Sequence, residues 1–473
     1  DSVNRNDTIS IETSSWVGTV NGIPKKFQVL VELLKSKKLS TKQKQVISSL
    51  FDYPSLFIGK CLKYDTTSIT DPELRSHYDS NLVKEELSAF GLDINKTLWG
   101  SDRDLSYVKS KSPPVRITNK SCYNGKLPLK GNGLKDIAAF MSKTMIMEDS
   151  SGNEVQTRTL AMELARFVFN DTDKTVEFPY VINGNKVCKV LTAYKAFLFL
   201  CSTSIRYQKS KGVRNDEDTY AYRTHFIAEE FGKERCAVIP NYLINILLEP
   251  ISEHYMSLLR SLKEDGTFDQ NEAFEFVCST SAQRGFNGSV DQSSWTDKLD
   301  LEILNETDQG IIPREVSNLI NTIFRLPVKK TDQQGKLHKI YYARGAGMGT
   351  YLVWPRSSVF HHKMVQLCNI KAKLGHHPRR LQSFKPLKKF RDYRIVGDDN
   401  TLLDKRILCL YLRTCESIGL KVSKTKTIIT EGKSTSGVFC KRSYLKGKEV
   451  SIVTAKMIAN ANLSLNNFVD LLR

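Results

Sequence analysis

Apolar residues recur at helical spacing from Tyr242 to Leu262, at Leu243, Ile246, Leu247, Ile251 and Met256, and predict an amphipathic helix there. The same period runs through Thr159 to Phe169. It returns in Arg406 to Ile418, where Gly419 supplies the stop. Leu191 to Ile205 and Leu352 to Leu367 are more continuously apolar and predict buried helices. Pro355 falls in the first turn of the second, where a proline is tolerated. Val29 to Leu34 also reads as helical. Short β-favouring runs predict strands at Cys236 to Pro240, Tyr393 to Val396, Leu420 to Ser423 and Gly437 to Arg442. Lys, Pro and Ser in 107–121 mark a loop or linker, and Asp149 to Asn153 an exposed turn. No internal repeat or long low-complexity tract interrupts the pattern. Residues 1–225 carry no readable chemical motif, whereas signals crowd together after Phe231.

Composition narrows the class. The chain has 473 residues, enough for a large core or several subdomains, and its 40% hydrophobic content suits a globular protein. Its 70 Lys and Arg against 51 Asp and Glu leave a formal charge of +19. Such an excess implies a polyanionic partner, nucleic acid first and an anionic membrane second. The 10 cysteines are scattered singly without a CxxC pair, which argues against a zinc ribbon. They read as reduced thiols of an intracellular protein. The pairs His361-His362 and His376-His377 have no partner at a convincing metal-ligand spacing. The run from Leu191 is broken by Lys195 and is too short to span a membrane, and no signal peptide is visible. Starting at Asp1 without an initiator Met, the chain is expected to be a fragment or a processed product.

The densest chemical signal is Tyr393-Arg394-Ile395-Val396-Gly397-Asp398-Asp399-Asn400, read as strand, tight turn and strand with two carboxylates at the tip. Taken alone, an Asp pair is most often a solvated turn. A second strand-like entry, Gly288-Ser289-Val290, ends in Asp291, and Asp297 follows six positions later. Two strands that each bring a carboxylate to one end of a sheet could hold two divalent cations. Hard Mg²⁺ takes few carboxylates and completes its shell with phosphates. Two such ions, roughly 3.5–4 Å apart, stabilise the attacking and leaving oxygens of an in-line displacement.

Cations and glycines surround these carboxylates in the sequence. Lys233 and Arg235, two apart, share one face of a strand and suit a triphosphate, a solvated basic edge being the equal alternative. Gly345, Gly347 and Gly349 form a loop whose backbone can approach a ligand closely, followed by Thr350; it lacks the Lys-Ser/Thr end of a P-loop. Lys371 to Arg394 is the most basic segment. It includes Arg379, Arg380, Lys388 and Lys389, with Phe384, Phe390 and Tyr393 interleaved, the composition of a nucleic-acid channel. Lys426 follows the Leu420 strand pattern, and Lys441 and Arg442 end the last predicted strand.

The order of these blocks resembles the palm-and-fingers core of viral RNA-dependent RNA polymerases, motifs F, A, B, C, D and E. More narrowly it is similar to mitoviruses and narnavirus-like relatives. The blocks are Gly232-Lys233-Glu234-Arg235, Asp265 to Gln270, Asp291 to Asp297, Gly345 to His362, Gly397 to Asp399 and Gly437 to Arg442, over about residues 226–470. The resemblance implies an α+β right-hand polymerase with an antiparallel palm sheet flanked by helices and a largely helical N-terminal region. It divides the chain into 1–225 (N-terminal region and part of the fingers), 226–285 (fingers with motif F), 286–300 (motif A) and 301–342 (fingers insertion). Motifs B to E follow in 343–442, and a partial thumb in 443–473.

The resemblance also implies roles. Asp291 and Asp398 would be metal ligands, with Asp399 a weaker contact, for two Mg²⁺ or Mn²⁺ ions. Asp297 would meet the ribose 2′-OH, Lys233 and Arg235 the triphosphate, and Gly345, Gly349 and Thr350 the template and nascent pair. Lys426 would be the general acid for pyrophosphate, and Lys441 and Arg442 would touch the primer strand. The partners implied are RNA template, nascent RNA and NTPs, and the compartment is the host mitochondrion or cytoplasm. Where the mitovirus pattern has a Ser pair before its Trp, this chain has Leu352-Val353 before Trp354, so a hydroxyl for Asp297 is missing there. Two alternatives share some of these features. A reverse transcriptase-type enzyme would carry an aromatic-x-Asp-Asp turn where Gly397 stands, and a non-enzymatic RNA-binding nucleoprotein would account for the charge alone.

Overall fold

The computed structural model describes residues 40, 43, 64–71, 80–111, 132–143, 145–172, 175–182, 185–210, 220–228, 234–374, 388–424 and 426–451, with the backbone of 19–20 and 23–24. The expected helix at Val29 to Leu34 lies outside them, as do Lys233, Arg379 and Arg380. The fold is α+β, with antiparallel and mixed sheets among helices.

Before residue 220 four helices of nine residues or more, Asn81–Trp99, Asn132–Phe140, Thr157–Val168 and Ala193–Ser210, alternate with two hairpins, Ile146–Glu148 with Glu154–Gln156 and Thr175–Ile182 with Asn185–Thr192. Among the described residues of this region helix outweighs strand. The apolar run at Leu191 begins as strand and becomes helix only at Ala193. In the turn at 149–153, the Asp149 carboxylate is buried, because it accepts hydrogen bonds from the backbone N–H of Ser151 and Asn153.

From residue 222 the chain runs through β1 (Tyr222–Ala228), β2 (Glu234–Pro240) and helix α1 (Tyr242–Arg260), which the Asn241 side chain caps by accepting from Leu243 N–H. Strand β1 crosses residue 225, where the sequence suggested a boundary. Helix α2 (Gln270–Arg284) starts under the Asp269 carboxylate, which accepts from Glu272 N–H, and ends at left-handed Gly285, φ 65°. Strand β3 (Phe286–Val290) and the short helix α3 (Trp295–Lys298) follow. Then come β4 (Val328–Thr331), β5 (Leu337–Ile340) and the long helix α4 (Val353–Leu374). Hairpin strands β6 (Tyr393–Val396) and β7 (Asp399–Leu402) lead to helix α5 (Lys405–Ser417), capped by Asp404. Strand β8 (Ile428–Glu431) precedes a three-stranded sheet of β9 (Ser436–Phe439), β10 (Arg442–Leu445) and β11 (Lys448–Glu449).

Two four-stranded sheets organise this half. One has the order β6-β7-β3-β8 and is antiparallel throughout. The other has the order β5-β4-β1-β2 with a parallel β4–β1 pair. The expected strand at Leu420 to Ser423 makes only an isolated bridge, Gln292 to Val422. The strand that completes the sheet is β8, whose Ile428 and Thr430 are half-buried and whose Ile429 is exposed. The Asp265 to Gln270 turn lines the sheet edge, where Gly266 N–H donates to Ile395 C=O at 2.8 Å and Ile395 N–H to Glu264 C=O at 3.1 Å.

Helix α4 passes through the core, and Val359, Phe360, Met364, Val365, Leu367 and Cys368 are fully buried on it. It also buries Arg356, His361, His362 and Lys363, each with a hydrogen-bond partner, as interior polar groups require. Helix Asn81–Trp99 packs against α4, so the N-terminal region joins the same core.

Candidate active site

Strand register assembles the carboxylates. In the β3–β7 ladder Asn400 pairs with Val290 and Thr401 with Ser289; one more residue sets Asp399 opposite Asp291. Across the β6–β7 hairpin Val396 pairs with Asp399, which leaves Gly397 and Asp398 as a two-residue turn. Gly397 has φ 64°, and a Cβ there would lie 2.6 Å from Trp354 Nε1, so both conformation and space demand glycine. Asp398 is exposed, while Asp291 and Asp399 are half-buried.

Lys426 Nζ stands 3.5 Å from Asp291 Oδ2, and both groups remain open to solvent. Asp291 is further tied to the segment before β8, since its N–H donates to Thr427 Oγ1 and its C=O accepts from Ser423 N–H. Burial pushes the Asp399 carboxyl up to about 6, and the charges of Asp398 and Asp291 push the same way, against Lys441 and Lys426. Three carboxylates from two strands and a turn thus meet two flanking lysines. Among the described residues no three or more His, Cys, Asp or Glu close into a cage ready to hold a metal. Mg²⁺ rarely uses such a cage: one or two carboxylates suffice, with phosphates and water completing the shell. Hard oxygen donors whose mutual repulsion is only partly offset fit a divalent cation.

Asp297 lies on α3, and a hydroxyl from a distant part of the chain reaches it. Ser68 Oγ donates to Asp297 Oδ2 at 3.0 Å. Burial pushes the Asp297 carboxyl up to about 7, with the Ser68 hydrogen bond opposing. Nothing in the sequence linked Ser68 to a position 229 residues away. Thr350, which follows the glycine loop, is buried and its Oγ1 has no partner among the described residues.

The glycine-rich loop packs on protein. Gly345 N–H donates to Asp297 C=O at 3.0 Å, and a Cβ on Gly345 would sit 2.1 Å from Thr296 O. Gly349, φ 108°, has Val238 O at 2.4 Å from its would-be Cβ. These glycines hold the loop between α3 and β2. Arg235 is exposed on β2. Its neighbour Cys236 is pushed up to about 12, chiefly by burial and next by the Asp297 charge, which places this strand beside Asp297.

The basic residues part company. Lys441 acts on the Asp399 carboxyl through its charge, and Lys388 is exposed. Lys389 forms a buried ion pair with Glu264 at 2.6 Å, which removes it from any RNA-facing surface. Arg442 is forked onto Glu449 at 2.9 and 2.6 Å, donates to Asn271 and stacks on Phe274 at 3.9 Å. Its planar donors thus meet Glu449 and Asn271 in this structure.

Sequence reasoning also passed over His361. Its Nδ1 lies 2.8 Å from Gly397 O and its Nε2 2.7 Å from Tyr411 Oη. Burial holds the imidazole down to about 3, so it is neutral. The available signal was a His-His-Lys run inside an otherwise apolar helix, since buried polar side chains need partners.

The family model described as mitovirus RNA-dependent RNA polymerase matches residues 102–471. The chain belongs to the mitovirus RNA-dependent RNA polymerase family. An RNA-directed RNA polymerase of Cryphonectria parasitica mitovirus 1 is 27% identical over 206 residues, 43% of this chain and 23% of that protein. The match thus spans under a quarter of the length of that enzyme. Two uncharacterized mitochondrial proteins of Arabidopsis thaliana are 28% and 24% identical over 176 and 207 residues. These matches cover 36% and 43% of this chain and 78% and 77% of those proteins. An apo telomerase from Candida tropicalis aligns with a TM-score of 0.37 at 11% identity, over 58% of this chain and 63% of that one.

Proposed function

We propose that this mitovirus-family chain is an RNA-directed RNA polymerase. Its site would join a ribonucleoside triphosphate to an RNA 3′-end opposite a template. The observation that carries the reading is the convergence of Asp291, Asp398 and Asp399 beside Lys426 at one end of an antiparallel sheet. On this reading the β6-β7-β3-β8 sheet is the palm, β1 and β2 belong to the fingers, and the chain after β8 leads to a small thumb.

Asp291 and Asp398 would hold two Mg²⁺ or Mn²⁺ ions, with Asp399 the weaker contact. When bound, such ions lower the pKa of the attacking hydroxyl and neutralise the leaving oxygens. The 3′-oxygen forms a bond to the α-phosphorus as the bond from that phosphorus to the pyrophosphate oxygen breaks, and the hydroxyl proton passes to water. Lys426, an exposed ammonium 3.5 Å from Asp291, supplies a proton to the departing pyrophosphate. Arg235 on β2 faces the triphosphate, and Lys441 stabilises charge next to the carboxylates. Asp297, held by Ser68, receives the ribose hydroxyl. The protein contributes position and fixed charge, while template base pairing selects the nucleotide. The net positive charge of the chain holds the RNA backbone. Among the described residues no helix is long and apolar enough to cross a membrane. The mitochondrion or the cytoplasm is the compartment proposed.

The test is RNA synthesis by the purified chain on a primed RNA template with Mg²⁺ or Mn²⁺, with NTPs and dNTPs in parallel. Template-length product that needs NTPs and vanishes in a folded Asp398→Asn variant supports the reading. Equal product from Asp398→Asn overturns it, and preference for dNTPs turns it toward a reverse transcriptase.

A further inference from the structure

Side chains alternate across a strand, so the residues next to outward-facing carboxylates point inward. Here those neighbours converge. Gln292 follows Asp291, Gly397 precedes Asp398, and Asn400 follows Asp399. All three contact one buried pair, His361 of α4 and Tyr411 of α5.

The carbonyl acceptor and the neutral imidazole set the direction of the first two hydrogen bonds. A carbonyl only accepts, so His361 Nδ1–H donates to Gly397 O at 2.8 Å. Nε2 then carries the lone pair and accepts the Tyr411 hydroxyl at 2.7 Å. With its proton used, the Tyr411 oxygen accepts from Gln292 Nε2 and from Asn400 Nδ2, the latter at 3.3 Å. Asn400 Nδ2 also lies 3.3 Å from Asp398 O and 3.2 Å from Val290 O. Trp295 packs on the imidazole with ring centroids 4.7 Å apart.

The ladder alone cannot fix Asp398, because pairing ends at Val396 and Asp399. Both carbonyls of the two-residue turn, Gly397 O and Asp398 O, are instead held from beneath by this network. We propose that His361 and Tyr411 are positioning residues that set the spacing of Asp398 from Asp291, and hence the affinity of the carboxylates for divalent cations. This rests on the reading that those carboxylates hold metal. Apolar packing would tolerate a shifted turn, whereas directional hydrogen bonds to both turn carbonyls resist one.

The experiment uses the full chain and Mn²⁺ alone, with free Mn²⁺ followed by electron paramagnetic resonance. Tyr411→Phe removes one oxygen and keeps the ring. His361→Leu removes both nitrogens, and His361→Asn keeps an amide donor where Nδ1 stands. Tyr411→Phe and His361→Leu should each weaken Mn²⁺ binding by about tenfold or more, the range found when a partner behind a metal ligand is lost. His361→Asn should recover part of that loss. In RNA synthesis, the Mg²⁺ needed for half-maximal rate should rise by the same factor in Tyr411→Phe, with the NTP KM at saturating Mg²⁺ unchanged. A Tyr411→Phe variant with lower Tm but wild-type Mn²⁺ affinity and Mg²⁺ dependence would show a merely structural network and overturn the proposal. Asp398→Asn is the separate control: if it binds Mn²⁺ like the wild type, the metal reading itself fails, whatever Tyr411 does.

Discussion

Two charged clusters lie in this fold, one closed and one open. In the closed one, Arg356 donates to both oxygens of Asp308, at 3.1 and 3.0 Å from Nε and 2.6 Å from Nη2, and also to Asn321 and Ser317. Tyr255 and Ser317 complete the Asp308 shell. Arg356 and Asp308 are fully buried and neutralise each other. In the open cluster, Asp291, Asp398 and Asp399 face partly exposed lysines, and Asp399 is pushed up to about 6. Polar groups that satisfy one another hold a structure together, whereas a set that repels itself and opens to solvent is built for something that arrives later.

Three substitutions should separate the two clusters, from the largest effect down. Asp398→Asn should lower RNA synthesis by about 10³-fold, corresponding to several kcal/mol of lost transition-state stabilisation. It should also raise the Tm of the metal-free protein, because a repelling charge is gone. A fall in that Tm would place the open cluster among structural ones. Arg356→Met should do the reverse, destabilising the fold by about 3–5 kcal/mol in denaturant titration, since it strands a buried carboxylate. Near-wild-type stability would show that Asp308 finds another partner. Lys426→Gln should reduce kcat by about 10²-fold with little change in NTP KM, as expected for a lost proton donor. An effect on KM alone would make Lys426 a phosphate contact.

The smallest effect concerns Asp297. Its carboxyl ionises near 3.8 when unfolded and about 7 when folded. Between those values the folded chain binds the extra proton, so stability falls as pH rises. Asp297→Asn lacks that loss, and its Tm advantage over wild type should grow from about pH 4 to pH 7 and then level off. Ser68→Ala, which removes the opposing hydrogen bond, should move the plateau to higher pH. A flat difference across that range would mean that Asp297 is ionised throughout.

Local pattern made much of this molecule legible. The helix at Arg406 to Ile418 with its Gly419 stop was visible from period and punctuation, and appears as Lys405–Ser417. The Asp-Asp hairpin was visible because Gly397 and two carboxylates interrupt β-favouring runs. The strand expected at Leu420 to Ser423 was misplaced: its apolar pattern is local, but pairing with β3 is decided by the sheet, which takes Ile428–Glu431 instead. Lys389 stood out in the sequence by its charge, and composition does not record the Glu264 that pairs with it.

What the sequence determined by itself was several helices, the Asp-Asp hairpin, the excess positive charge and the carboxylates at strand ends, since each depends on residues close together in the chain. Tertiary structure alone decided which groups meet. Ser68 reaches Asp297, and His361 reaches Gly397 and Tyr411, across separations that no local period records. The physical reason is that a buried hydrogen bond is set by the packing of whole helices and strands, and the sequence names the donors without saying which acceptor each will face.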